Sequence, residues 1–289
     1  MMILSFHPCF SGDKYINPGG RALTGADIDA IRKASAVILP QACRWDLYEA
    51  ATRHCAHVFP DLSTRFQYPG KTGQIELFRK AEIPHPQSRI FANTREFYSQ
   101  ADAAPLPVTP KRPAVVKFDW CDEGSGVFLA RNQEALAQIL ADAGRAETTG
   151  QEGFVIQEYV PTEWVLRVVV IYRELIAYWR VGNADRDFRI NLSRGADIDH
   201  DAYPALQQKG IDAVTGFCDR TGINLAGFDL LFSSMDTESI ALFLEINYYF
   251  GRTGIGGSEA YYDILTKAIH KWLNDIKTNR LPNQRHGAA

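Results

Sequence analysis

Two apolar runs late in the chain carry acidic side chains, and they constrain the fold more than any other feature. One run is GFDLLF, which contains Asp229, and the other is ALFLEIN, which contains Glu245 and Asn247. Both have the composition of β-strands, and the turn-rich stretch SSMDTES between them predicts a hairpin. If the turn is centred near Thr237, Asp229 lies directly opposite Glu245, where Cβ atoms are about 4.5–5.5 Å apart.

The second run is expected to have one polar face. Strand alternation places Glu245 and Asn247 on one face with Phe243, and it places three aliphatic side chains on the other, namely Leu242, Leu244 and Ile246. Burying a carboxylate costs several kcal/mol unless a partner compensates it. A set of oxygen donors such as Asp229, Glu245 and Asn247 suits a hard cation such as Mg²⁺. The alternative is that the carboxylates pair with arginine or lysine side chains or lie on an open sheet face, and the hairpin alone does not decide between the two.

Composition restricts the class of protein. The chain has 289 residues, of which 46% are hydrophobic, so one large domain or two to three small ones can each bury a core. A net charge of -3 argues against a nucleic-acid-binding protein. The five cysteines form no C-x-x-C pair, which favours reduced, packed thiols and a cytoplasmic location. With no basic leader and no long apolar run, no membrane partner is expected.

The chain reads as an α/β protein. Short apolar runs alternate with helical patterns before residue 84, which predicts a small α/β domain. The spacing of Ile75, Leu77 and Phe78 predicts a helix over residues 71–82, and the proline-rich stretch after it marks a domain boundary. Further strands and three later helices follow, whereas residues 281–289 have no packing pattern and are expected to be a mobile tail.

A lysine and a glycine-rich loop follow one another near the middle of the chain. Lys117 ends the β-branched run AVVKF, and Gly124 and Gly126 bracket Ser125 in the loop after it. Glycine lets backbone N–H groups converge on an anion, and lysine supplies a point charge for phosphate. An ordinary turn is the alternative for this loop.

Two further segments carry polar groups in patterns that suit a nucleotide. The strand FVIQEYV presents Gln157, Glu158 and Tyr159, which could accept hydrogen bonds from an amine or from sugar hydroxyls, or could lie on an edge strand facing solvent. In RDFRINLSRGA, three arginines surround Asn191, and one of them is Arg189. Such a concentration suits phosphate oxygens, although a basic surface patch is the alternative.

The order of these motifs, from VVKF and EGSGV through IQEYV and DFRINLSRGA to LEIN, resembles the ATP-grasp superfamily. The branch of ribosomal-protein glutamate ligases and related amino-acid ligases is the most similar, over roughly residues 71–257. The resemblance implies an ATP-grasp fold built of α+β subdomains. Residues 1–84 would form the N-terminal α/β domain, residues 85–160 the subdomain with the glycine loop and hinge strand, and residues 161–280 the subdomain with the metal and phosphate site.

The resemblance also implies site residues. The residues that match nucleotide-binding positions are Lys71, Lys117, Gly124, Ser125, Gly126, Gln157, Glu158, Tyr159 and Val160. The residues that match metal-binding positions are Asp229, Glu245 and Asn247. Those that match catalytic positions are Arg167, Arg189 and Asn191. The implied cofactors are ATP and Mg²⁺ or Mn²⁺, and the implied partners are small-molecule or peptide acid and amine substrates. The resemblance is also compatible with a homo-oligomer.

The sequence departs from the branch at two places. Val165 stands where an acidic residue is usual, and Tyr248, Tyr249 and Phe250 stand where small residues are usual. The aromatic residues and Arg252 would either shape a different substrate pocket or pack as core. Two hypotheses therefore follow: an ATP- and Mg²⁺-dependent carboxylate–amine ligase that works through an acyl phosphate, or an ATP-binding sensor or partner module without ligase activity.

Overall fold

The computed structural model describes residues 1–100, 113–120, 126–182, 190 and 195–278. These residues form three separate β-sheets with helices packed against them, which confirms the predicted α/β fold. The strands of the three sheets fall within residues 1–84, 85–160 and 161–280 respectively. The division of the chain into domains at those boundaries stays a prediction.

The first sheet is parallel. Its strands are β1 (Ile3–Ser5), β2 (Lys14–Tyr15), β3 (Ala36–Ile38) and β4 (Val58–Phe59), in the order β2-β1-β3-β4. The helices are α1 (Gly25–Lys33), α2 (Trp45–His54), α3 (Ser63–Gln67) and α4 (Gly70–Lys80). Thr24 starts α1 with a capping box, in which its hydroxyl accepts from the backbone N–H of Asp27 and the Asp27 carboxylate accepts in return. Apolar side chains from strands and helices, including Leu4, Ile31 and Leu47, bury a common core.

The second sheet is antiparallel. Its strands are β5 (Ser88–Phe91), β6 (Ala114–Phe118), β7 (Val127–Ala130) and β8 (Phe154–Glu158), in the order β5-β8-β6-β7. Helices α5 (Thr94–Gln100) and α6 (Gln133–Glu147) cover one face of it. Stacked rings of Phe91 and Phe154, with centroids 5.3 Å apart, lie at the centre of that core.

The third sheet is also antiparallel and carries most of the site. Its strands are β9 (Trp164–Ile171), β10 (Glu174–Val181), β11 (Asp197–Asp199), β12 (Leu225–Leu231) and β13 (Leu242–Asn247), in the order β11-β10-β9-β12-β13. Helix α7 (Pro204–Thr221) packs on one face through Val214 and Phe217. A 3-10 helix (Thr253–Ile255) leads into α8 (Gly257–Lys277), which packs on the other face through Leu265 and Trp272.

The predicted hairpin forms, but the alternation predicted for its second strand is wrong. Strands β12 and β13 pair with Asp229 opposite Glu245, as the turn position predicts. The register then shifts, because Leu230 pairs with Phe243 and leaves Leu244 as an extra residue. This bulge puts Phe243 and Ile246 together in the core, although they were expected on opposite faces.

Helix predictions agree with the structure except where elements are short. The helix predicted over residues 71–82 is α4, and its three apolar residues are buried. Helices α3 and α5 and strands β2, β4, β5 and β11 were not predicted. Of the described cysteines, Cys43 and Cys55 are buried as expected, whereas Cys9 is exposed. Within the described ranges, no helix is both long and apolar enough to cross a membrane.

Candidate functional site

A cavity of about 750 Å³ is lined by residues from the second and third sheets, from helices α3 and α4 and from the segment between these helices. Its volume lies within the range of small-molecule sites. Strand β13 runs along the cavity. Residues near the start of the strand therefore lie at one end of the cavity, and residues just after the strand lie at the other end. Leu244 lies at one end, Glu245 and Asn247 in the middle, and Tyr249 at the other end.

Asp229 lies in the middle of the cavity wall and is held by two arginines. Its Oδ1 accepts from Arg167 Nε at 2.5 Å and pairs with Arg180 Nη2 at 2.6 Å. Its Oδ2 accepts from Arg167 Nη2 at 3.0 Å and from Asn247 Nδ2 at 3.2 Å. Burial would raise the pKa of Asp229, but the two guanidiniums outweigh burial and lower it. Asp229 is therefore an ionised, fully paired carboxylate.

These contacts bear on whether the predicted metal ligands fit a cation. A carboxylate offers about four lone pairs, and four donors already occupy those of Asp229. Glu245 has no hydrogen-bond or ion-pair partner within the described part of the chain, and the Asn247 amide oxygen is an additional donor to a cation. Mg²⁺ often binds through one or two carboxylates and completes its shell with water and phosphate oxygens. Glu245 and Asn247 thus fit Mg²⁺ directly, whereas Asp229 fits only after an arginine moves away.

Lys117 projects from the end of β6 toward the same strand. Its side chain is 9% exposed, and its ammonium donates to the Leu244 carbonyl oxygen at 3.5 Å. Burial lowers the pKa of Lys117 to about 8, while Glu245 opposes the shift, Lys71 adds to it and Asp229 opposes it. A buried ammonium with a second lysine, Lys71, nearby is suited to binding the oxygens of a phosphate.

Lys71 lies in the first turn of helix α4 and is tied to the end of β6. Its ammonium donates to the Phe118 carbonyl oxygen at 2.9 Å. The Asp119 carboxylate caps the helix by accepting from the backbone N–H groups of Lys71 at 2.7 Å and Thr72 at 2.9 Å. Gly70, at φ +70°, approaches this carboxylate so closely that a Cβ atom there would lie 2.9 Å from it. The chain therefore places Lys71 beside Lys117 in the cavity.

Strand β8 and the segment after it form another part of the wall. Gln157 is buried and donates to the Ser88 hydroxyl at 2.9 Å, and the backbone N–H of Glu158 donates to the Gln87 carbonyl at 2.7 Å. Beyond them, an apolar cluster forms the end of the cavity that faces the start of β13. Its members are Val160, Val165, Ile190, Leu231, Leu242 and Leu244. The walls of this end are apolar, as in most pockets that bind small molecules.

Most of the site residues predicted from the sequence converge on the cavity. Those that line it are Lys71, Lys117, Gln157, Glu158, Tyr159, Val160, Arg167, Asp229, Glu245 and Asn247. Gly126 lies next to the cavity, and its carbonyl accepts from the Phe118 N–H at 2.9 Å. The remaining four, Gly124, Ser125, Arg189 and Asn191, lie outside the described residues.

The two departures from the family pattern have different structural outcomes. Val165 is buried in the apolar end of the cavity. Phe250 packs as core, with its ring 5.8 Å from that of Tyr261. Tyr248 lines the cavity and its hydroxyl lies 2.9 Å from that of Thr64, while Tyr249 is 70% exposed at the cavity end. Both alternatives therefore occur: one aromatic residue is core and two border the cavity.

Several cavity residues were not recognised from the sequence. Arg180 lies on β10, opposite Val165 of β9. Because it is an arginine within an apolar strand, it could have been recognised from the sequence. The Gln74 amide donates to the Ile246 carbonyl at 3.0 Å and accepts from the Ile246 N–H at 2.8 Å. Asp119 and Gln74 are ordinary polar residues in sequence terms, and only the packing of α4 against β6 and β13 reveals what they contact.

Comparison with known families gives a decisive match. The profile of the RimK-like ATP-grasp domain matches residues 70–270, which is more than half of the chain. The chain belongs to the RimK-like ATP-grasp family. The matched range contains all the residues of the cavity except those of α3 and its vicinity.

Solved structures agree on the fold. A RimK-domain ATP-grasp protein from Sphaerobacter thermophilus is 15% identical, with a TM-score of 0.60, over 93% of this chain and 99% of that one. D-alanine–D-alanine ligase from Bacillus anthracis is 12% identical, with a TM-score of 0.59, over 92% and 86%. An ADP complex of N5-carboxyaminoimidazole ribonucleotide synthetase is also 12% identical, with a TM-score of 0.59, over 87% of this chain and 64% of that one. At these identities the likeness shows the ATP-grasp fold alone, and no curated protein matches the sequence.

Proposed function

We propose that this protein is an ATP- and Mg²⁺-dependent carboxylate–amine ligase that forms an amide or peptide bond through an acyl phosphate. The observation that carries the proposal is the convergence of Lys117, Glu245 and the Asp229–arginine cluster on one cavity. Family membership and the ligases among its structural neighbours support the same reaction class. The acid and amine substrates are small molecules or peptides.

In this proposal ATP lies along β13. The apolar end around Val160 and Leu231 takes the base, and the segment from Gln157 to Val160 supplies polar backbone and side-chain groups at its rim. Lys71 and Lys117 contact the phosphates as point charges. Glu245 and Asn247, with Asp229 beside them, would hold Mg²⁺, and the bound ion would neutralise phosphate charge.

The chemistry then needs no nucleophile from the protein. A substrate carboxylate oxygen attacks the γ-phosphorus as the bond to ADP breaks, and an amine attacks the resulting acyl phosphate as inorganic phosphate leaves. Arg167 and Arg180, buried beside the reacting region, stabilise the negative charge that develops. We assign the same role to Arg189, with Asn191 near the γ-phosphate, on the strength of the DFR-x-N motif. Ile190, which lies between them in the sequence, lines the cavity.

The experiment that tests this function is calorimetric titration of ATP with and without Mg²⁺, on the wild type and on Glu245→Gln. We expect ATP binding by the wild type to require Mg²⁺. In Glu245→Gln, Mg²⁺ should no longer increase the affinity for ATP, since Glu245 is the one carboxylate on β13 in the cavity. Glu238→Gln is the matched control, because it removes the same charge from an exposed position in the turn of the same hairpin.

Binding must then be followed by turnover. ADP release in a screen of acid and amine pairs would support ligation, and Arg189→Gln should keep nucleotide affinity while lowering kcat by orders of magnitude. Mg·ATP binding without ADP release from any pair would favour the sensor module instead. Wild-type Mg·ATP affinity in Glu245→Gln would contradict the metal assignment.

A further inference from the structure

The end of the cavity opposite the apolar base pocket carries a cation that the proposed nucleotide site does not use. Arg65, on α3, lines this end together with Phe66, Tyr68, Tyr248 and Tyr249. Along the chain, Tyr249 lies five positions after Leu244 and two positions past Asn247, where β13 ends. Arg65 lies at the Tyr249 end because it follows Thr64, whose hydroxyl lies 2.9 Å from that of Tyr248.

The guanidinium of Arg65 is fixed in place by backbone groups. Its Nη1 donates to the carbonyl oxygens of Gln41 at 3.2 Å and Cys43 at 3.1 Å, in the loop after β3. Its Cζ lies 5.2 Å from the centroid of the Phe66 ring. Nε and Nη2 have no hydrogen-bond partner, and no carboxylate pairs with Arg65, within the described part of the chain. A half-buried arginine held by neutral carbonyls has a pair of donors left for a planar anion.

The other charges of the cavity leave this end positive. Glu158 lies on the hinge strand, and Asp229 and Glu245 lie in the middle of the cavity. Asp119 is occupied by the N-terminus of α4. None of the described acidic residues that line the cavity forms an ion pair with Arg65, so this end suits a carboxylate and disfavours an ammonium group.

Aromatic rings surround the cation. Tyr249 is 70% exposed, so much of its ring remains to be covered, and Phe66 and Tyr248 are only partly buried. Rings of this kind bind flat or bulky apolar groups by contact and offer a phenol for hydrogen bonding. The site thus joins one fixed cation to an apolar, aromatic surface.

We propose that this end binds the amine substrate, and that this substrate is an α-amino acid, or a peptide residue with a free carboxylate, that has an aromatic or large apolar side chain. The inference rests on the proposed ligase function. The amine nitrogen forms a bond to the carbonyl carbon of the acyl phosphate, the carbon–oxygen bond to phosphate breaks, inorganic phosphate leaves, and the amine releases a proton. The carboxylate of the amine substrate is not consumed, so Arg65 can hold it throughout and acts as a specificity-determining residue.

The test compares two probes that differ at the carboxylate. The full chain is saturated with Mg²⁺ and a non-hydrolysable ATP analogue, and L-phenylalanine and L-phenylalaninol are titrated by calorimetry or ligand-observed NMR. Phenylalaninol lacks the carboxylate that would pair with Arg65. It should therefore bind roughly 10- to 100-fold more weakly than phenylalanine. Arg65→Gln should weaken phenylalanine by a similar factor and leave phenylalaninol unchanged, and Arg65→Lys should recover part of the loss. Arg53→Gln removes the same charge from an exposed position on α2 and should change nothing.

Each other outcome has a distinct meaning. Equal affinity for the two probes, or an equal loss of both in Arg65→Gln, overturns the inference. Preferential binding of L-glutamate or L-alanine over L-phenylalanine overturns the side-chain assignment. Analogue binding without any binding of phenylalanine refutes this inference and leaves the ligase proposal standing, whereas absence of analogue binding refutes the proposed function itself.

Discussion

Nucleotide binding should be coupled to protonation of Lys117. Burial lowers the pKa of this lysine to about 8 in the free protein. Phosphate oxygens beside the ammonium favour its charged form and move the pKa back toward about 10. The bound state therefore holds more protons than the free state between these two values.

The magnitude follows from the titration of one group. At pH 8 the free lysine is half protonated, so binding should take up about 0.5 proton, with about 0.1 at pH 7 and about 0.8 at pH 9. Affinity should be fully present below pH 8 and should fall by up to about tenfold per pH unit above it. At pH 8 unperturbed histidines are already neutral and contribute little.

Calorimetry measures this uptake directly. ATP binding at pH 8 is repeated in buffers of different ionisation enthalpy, and the slope of the observed enthalpy gives the number of protons. Lys117→Met should abolish the slope, whereas Lys80→Met, on the exposed side of α4, should preserve it. A slope of zero in the wild type, or an unchanged slope in Lys117→Met, would refute the assignment of Lys117 to the phosphates.

Three further substitutions test the packing around the site, each by chemical denaturation. Asp229→Asn should lower the free energy of unfolding by about 3–5 kcal/mol, because it leaves two buried guanidiniums without their counter-charge; a loss below 1 kcal/mol would contradict the buried network. Phe250→Ala should cost about 3–5 kcal/mol if this residue is core, and near-neutral stability with altered substrate binding would place it in the substrate pocket instead. Tyr248→Phe should cost about 1 kcal/mol through its bond to Thr64, and an unchanged stability would show that the two hydroxyls do not interact in solution.

The sequence predicted the centre of the site because its signals are local. Two apolar runs separated by a turn fix both the hairpin and the opposition of Asp229 to Glu245. The bulge at Leu244 was not predicted, because a leucine can lie on either face of β13. A bulge also depends on how the paired strands β12 and β13 pack in the protein. The short helix α3, which carries Arg65, has too few residues for periodicity to appear.

The contacts of the site residues depended on tertiary structure in the same way. Arg180 reaches Asp229 only because β9 lies between β10 and β12 in the sheet. Nothing in the sequence spacing brings residue 180 to residue 229. The choice between metal ligand and arginine partner for Asp229 could not be made before the strand order was known.

The contact between Gln74 and Ile246 has a consequence for the behaviour of the sheet. Strand β13 is an outer strand, and an outer strand exposes N–H and C=O groups that can recruit another chain. The Gln74 amide satisfies both groups of Ile246, and the Pro84 carbonyl accepts from the N–H of Phe243. One side chain thus imitates a neighbouring strand and protects the edge against self-association. The strand that presents Glu245 and Asn247 to the cavity is closed to foreign strands on its outer side.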